Sequence, residues 1–104
     1  MCETMKTLSE IKEILRKHKK ELKERYRVKS IAIFGSYARG EQTEKSDIDI
    51  MVEFDENNYP SFSEYLELIE YLEKILGLKV DLITKNSIHN PYVKKSIEED
   101  LIYV

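Results

Sequence analysis

Apolar positions in this chain alternate between a helical and a strand rhythm. Leu8, Ile11, Ile14, Leu15 and Leu22 recur at helical spacing to near Arg25, and Thr7-Leu8-Ser9-Glu10 has the form of a capping box, so a first helix is expected there. Ile31 to Phe34 is a short continuous apolar run that stops at Gly35, the pattern of a strand buried on both faces. Ile48, Ile50 and Val52 then alternate with Asp47 and Asp49, which predicts a strand with one apolar and one functional face. A second helix is expected from Ser61 to Leu76, closed by Gly77 and burying Phe62, Tyr65, Leu66, Ile69, Leu72 and Leu76. In the strand candidate KVDLIT, residues 79–84, Val80 and Leu82 share one face, while Lys79, Asp81 and Ile83 share the other. A third helix is expected to start near Asn90-Pro91, and Leu101 to Val104 reads as a terminal strand. This order predicts a two-layer α+β fold: a mixed sheet of about four strands, with helices mainly on one face and the acids at one sheet edge.

With 104 residues, 41% of them hydrophobic, the chain supports one core, so residues 1–104 are read as a single domain. No run of about 18 apolar residues occurs, and the charged start MCETMKTLSEIKE is unlike a signal peptide, so a cytoplasmic location is expected. Cys2, the single cysteine, can form no internal disulfide and is given no role. His18 falls on the apolar stripe of the first helix without a matching ligand, and is read as packing at the edge of the core. The net charge of −3 is uneven: residues 16–29 hold eight Lys or Arg against two Glu, +6, which leaves −9 elsewhere. That stretch is either a solvated helix face or a docking surface for an acidic partner or RNA, and nucleic-acid binding is not inferred from it.

The candidate chemistry lies between the first two strands. Gly35 permits close approach of backbone amides to a ligand and Ser36 adds a hydroxyl donor, a combination suited to a triphosphate, although an ordinary strand-to-helix turn has the same residues. Ten residues later come Asp47 and Asp49, two like charges on one strand face. At least one should have a raised pKa unless a cation lies between them or both spread into water. Hard carboxylate oxygens beside phosphates suit Mg²⁺, and the alternative is a solvated strand start. Asp81 interrupts an apolar strand and needs a partner, either a metal shared with Asp47 and Asp49 or a lysine such as Lys79 or Lys85.

Gly35-Ser36, ten residues, Asp47-Ile48-Asp49 and the later Asp81 resemble the signature of the minimal nucleotidyltransferases of the DNA polymerase beta superfamily, which includes the MntA antitoxins of HEPN/MNT pairs. Arg39 and Gly40 in SYARG, and Ser46 ahead of Asp47, fit the same pattern. The resemblance implies the nucleotidyltransferase fold and Mg²⁺-dependent transfer of AMP from ATP to a protein hydroxyl. Asp47, Asp49 and Asp81 would be the catalytic and metal-binding acids, and Gly35 and Ser36 would hold the β- and γ-phosphates. Arg39 would either approach phosphate or pair with Glu41 or Glu44. The implied partner is a HEPN-type ribonuclease toxin, silenced by adenylylation of a tyrosine. Two rivals stay open: an antitoxin that only masks its toxin, and transfer to a small molecule or RNA. The intact acids speak against the first, and the lack of room for a substrate domain speaks against the second.

Overall fold

Helix α1 (Leu8–Tyr26) starts where the cap predicts: the Thr7 hydroxyl accepts from the Glu10 amide at 3.2 Å, and the Thr7 amide donates to the Glu10 carboxylate at 3.0 Å. The computed structural model describes residues 7–41, 43, 47–55, 57, 59–85 and 90–104, so the readings of Cys2, Glu44 and Ser46 lie outside the described residues. The helix buries Ile11, Leu15, Leu22 and Tyr26. It ends at Arg27, whose left-handed backbone (φ 61°) turns the chain into β1 (Val28–Phe34). The Arg27 guanidinium meets both oxygens of Glu64 at 2.9 and 3.1 Å, tying that turn to the start of α3 (Phe62–Leu76). His18 is part-buried, with Nδ1 2.8 Å from the Ile14 carbonyl and its ring edge-on to Tyr71, in keeping with a packing role.

Between β1 and β2 (Ile48–Phe54) lies the four-residue helix α2 (Ser36–Arg39). After α3 come β3 (Val80–Thr84), α4 (Pro91–Asp100) and the short β4 (Ile102–Tyr103). The strands form one sheet in the order β3-β2-β1-β4. β1 is antiparallel to β2 and β4, and β2 is parallel to β3. Parallel neighbours require a crossover, and α3 supplies it.

Because side chains alternate along each strand, the register sorts the sheet into two faces. Ile31, Ile33, Ile48, Ile50, Val52 and Leu82 point to one and are buried with α1 and the Leu68, Leu72 and Leu76 stripe of α3. Ala32, Phe34, Asp49, Met51, Asp81 and Ile83 point to the other, where α4 lies across the sheet. The mixed four-stranded α+β architecture is as expected, with α1 and α3 on one face and α4 on the opposite one. Among the described residues, no helix is long and apolar enough to cross a membrane.

The second helix corrects the expected core. Its Ser61–Gly77 limits hold, with Ser61 and Glu64 forming a capping box and Gly77 left-handed at φ 67°. Phe62 and Leu66, however, are 76% and 45% exposed, and Tyr65 and Ile69 only partly buried, while Leu68 is fully buried. Nine of the fifteen residues of α3 are apolar, so the pattern wraps round the helix and the sheet, not the periodicity, chooses the inner side. Leu72→Ala is therefore expected to cost about 2–5 kcal/mol in urea unfolding. Phe62→Ser should stay within about 0.5 kcal/mol of wild type.

Candidate active site

β1 ends at Phe34, which lies opposite Asp49 on β2, and Asp49 lies opposite Asp81 on β3. Three adjacent strands thus carry one row of residues on the same face. Gly35 follows directly with φ 76° and ψ −150°, a conformation essentially reserved for glycine. A side chain at this position would also run into the Asp49 carboxylate, since a Cβ would stand 3.0 Å from Asp49 Cγ and closer still to Oδ2. Gly35 is therefore required twice: for its backbone angles, and for the space that lets the carboxylate rest against the chain.

Helix α2 starts at Ser36, closes through the Arg39 amide to the Gly35 carbonyl at 3.1 Å, and ends in a left-handed Gly40. Tyr37 is 1% exposed and anchors this turn in the core. Burial, and then the charge of nearby Asp47, push the Tyr37 phenol up from its usual range. As in any helix start, the amides of the first turn, at the end of β1, have no acceptor within the helix. Gly35 and Ser36 therefore stand at the same sheet end as the acids.

The three acids differ in surroundings. Asp47 precedes β2 and is exposed, Asp49 is partly buried and Asp81 is exposed. Burial raises the pKa of Asp49 to about 6, helped in turn by the charge of Asp81, a hydrogen bond shared with it and the charge of Asp47, while Arg39 acts in the opposite direction. The repulsion expected between Asp47 and Asp49 is real, but burial and Asp81 weigh more. The sequence expectation for Asp81 is a buried carboxylate partnered by a metal shared with Asp47 and Asp49 or by a lysine; its burial is corrected, and of the two partners the lysine is not found among the described residues. β3 is an edge strand and leaves Asp81 open, its close neighbour is Asp49, and Lys85 instead stands 4.0 Å from Glu53.

Arg39 is held by carboxylates. Its Nε donates to Glu41 at 2.9 Å and its Nη1 to Asp100, at the end of α4, at 2.7 Å. Of the two sequence alternatives, the pair with Glu41 is present, and Asp100 is a partner 61 residues away that no local pattern announces. Sequence reasoning also missed Tyr65, whose hydroxyl donates to the Leu82 carbonyl at 2.8 Å and fixes β3 beside Asp81.

The donor set consists of hard carboxylate oxygens, and burial first, then the crowding by Asp81 and Asp47, lets Asp49 retain its proton to about 6. A cation relieves that crowding. Among the described residues no three His, Cys, Asp or Glu side chains already converge into a cage. Carboxylate oxygens of this kind suit a hard cation such as Mg²⁺, which takes one or two of them and completes its shell with phosphate and water.

Residues 15–104 match the family model of the nucleotidyltransferase domain. The chain belongs to the nucleotidyltransferase domain family. A Methanocaldococcus jannaschii relative, provisionally named a protein adenylyltransferase, is 93% identical over 96% of this chain and 100% of its own length. The protein adenylyltransferase MntA of Thermococcus cleftensis is 50% identical over 96% of this chain and 98% of its own. The fold is similar to a solved structure provisionally described as a minimal nucleotidyltransferase (TM-score 0.75, 27% identity, 96% of this chain and 98% of that one). It is also similar to a toxin–antitoxin structure with AMP-PNP (TM-score 0.64, 25% identity, 92% and 70%). In this nucleotidyltransferase Asp49 and Asp81 share one sheet face, at the end where the Gly35 turn lies.

Two outcomes test this geometry. Gly35→Ala should lose about 1–3 kcal/mol in urea unfolding, from strain at a positive φ plus the clash with Asp49. The loss should shrink, without vanishing, in an Asp49→Gly background, because only the clash is relieved. The second concerns pH: folded Asp49 holds its proton to about 6, whereas the unfolded group releases it near 3.8. Its stabilising contribution is therefore full below 3.8 and is lost as pH rises through about 6. Between pH 4 and 7, wild type should lose about 1 kcal/mol relative to Asp49→Asn, a figure reduced for partial exposure. Unfolding of both proteins at the two pH values reads this difference.

Proposed function

We propose that this nucleotidyltransferase moves AMP from ATP to a protein hydroxyl with the help of Mg²⁺. We further propose that the acceptor is a tyrosine of a HEPN-type ribonuclease toxin, for which the chain is the antitoxin. The observation that carries the chemistry is the row Phe34, Asp49, Asp81, with Gly35 backed against the Asp49 carboxylate. It brings the Gly35 turn and two acids to one end of the sheet. The acceptor class is supported by the adenylyltransferase names of relatives that match almost the whole chain. The nucleotide is supported by the AMP-PNP in a neighbouring toxin–antitoxin structure. A reaction fed by ATP fits the cytoplasmic location expected from the sequence.

In this reading the acceptor oxygen attacks the α-phosphorus, the new O–P bond forms as the bond to the bridging oxygen breaks, and pyrophosphate leaves with that electron pair. Gly35 and Ser36 hold the β- and γ-phosphates at the end of β1, which keeps the leaving group on that side. Asp47 and Asp49 would hold Mg²⁺, with Asp81 completing a second position; the cation supplies charge stabilisation at the oxygens where negative charge develops. Asp81 would take the proton from the acceptor hydroxyl, a role that its exposure and its position beside Asp49 support. Tyr65 steadies it through the Leu82 carbonyl.

A masking antitoxin would need none of these acids, which makes the two readings separable. Incubation with ATP, Mg²⁺ and the protein encoded beside it, followed by intact-mass spectrometry, should show AMP added to that protein. Asp47→Asn, Asp49→Asn and Asp81→Asn should each lower transfer by about a hundredfold or more. Asp81→Asn should still bind the partner. If it binds and protects cells as well as wild type, with no modified partner detected, neutralisation is by masking and the enzymatic reading fails.

A further inference from the structure

The face that carries Asp49 and Asp81 continues beyond the acids. Two positions along β2 stands Met51, 5% exposed, opposite Ala32 on β1 and Ile83 on β3. Helix α4 crosses at this level and leaves a groove of about 450 Å³. Met51 is its floor, Ile97, Leu101 and Tyr103 its apolar walls, and Lys85, Lys94 and Glu98 its rim. The volume lies within the roughly 300–1,000 Å³ typical of sites that hold a small molecule or a few side chains.

We propose that this groove seats the polypeptide segment carrying the acceptor hydroxyl, and that it selects an extended segment with an apolar side chain and a carboxylate flanking that hydroxyl. The inference rests on the transfer reaction argued above, and three observations support it. The first is direction. In-line displacement requires the nucleophile to enter opposite the leaving group. Gly35 and Ser36 follow Phe34, the residue level with Asp49, whereas the groove opens on the other side of Asp49 and Asp81, toward Met51.

The second is reach. Asp49 and Met51 are two strand residues apart, roughly 7 Å, which one or two residues of an extended peptide span. A segment lying on Met51 therefore brings a neighbouring hydroxyl to the acids. The third is charge. The chain is acidic overall at −3, yet the groove rim has two lysines and one glutamate. Lys85 stands 4.0 Å from Glu53, while no ion pair engages Lys94 among the described residues. An incoming carboxylate matches Lys94, the lysine that no ion pair engages among the described residues, whereas a cation in its place would meet a like charge. The bridge from Arg39 to Asp100 holds the end of α4 to α2, so the groove wall is fastened to the turn on the phosphate side.

The test uses the full chain and three six-residue peptides, each with one tyrosine. One flanks it with Leu and Glu, one with Leu and Lys, and one with Ser on both sides. Binding is read by fluorescence anisotropy in the presence of Mg²⁺ and AMP-PNP, and AMP transfer from ATP by mass spectrometry. The Leu/Glu peptide should bind at least about tenfold tighter than the Leu/Lys peptide. Lys94→Glu should abolish or reverse that order while changing the KM for ATP less than about twofold. The proposal is overturned if the three peptides bind alike or not at all. It is overturned equally if Lys94→Glu raises the KM for ATP about tenfold and leaves the peptide order intact, since the groove then serves the nucleotide. Ordered peptide binding without AMP transfer keeps the groove and rejects the transfer reading. Transfer to a protein without any peptide preference does the reverse.

Discussion

The site depends on one contact: the carboxylate of Asp49 lies against the backbone of Gly35, at the point where β1 gives way to α2. Antiparallel pairing of β1 with β2 brings Asp49 level with Phe34, and parallel pairing of β2 with β3 adds Asp81 to the same row. A shift of one residue in either pairing would send an acid to the opposite face, among Ile48, Ile50 and Leu82. There its charge would have no partner, so the apolar face that builds the core also fixes where the acids stand.

The two faces of the sheet divide the work. α1 and α3 bury one face through Ile11, Leu15, Leu22, Leu68, Leu72 and Leu76, and that packing accounts for the register. The other face carries the acids at one end and the groove beneath α4 further along. Ties at its margins keep these parts in step. Tyr65 holds β3 from α3, and Arg39 holds α4 from α2. The first joins two consecutive elements, the second two whose bonded residues are 61 positions apart.

Much of this was legible in the sequence because it is local. Capping boxes at Thr7 and Ser61, the stop at Gly77, the proline start of α4 and the alternation around Asp47 and Asp49 all act within a few residues. Gly35 and the acids were legible because each departs from the apolar pattern around it. The errors concern tertiary position. Phe62 and Leu66 look like core in a helix that is apolar on several sides, and only the placement of the sheet leaves them in water. Asp81 looks buried because its neighbours are apolar, and only the strand order shows that β3 is an edge. The bond from Arg39 to Asp100 and the groove under α4 have no sequence signal, because the residues involved are brought together by the fold alone.

The central claim is that burial, together with the crowding of acids on one sheet face, prepares Asp49 to receive a cation together with nucleotide. A carbon-13 NMR titration of the Asp49 carboxyl, with and without Mg²⁺ and AMP-PNP, tests this most directly. The account predicts a pKa of about 6 for the free protein and a clear fall once the cation and nucleotide are added. A value close to the ordinary 3.8 that Mg²⁺ and nucleotide leave unchanged would contradict it.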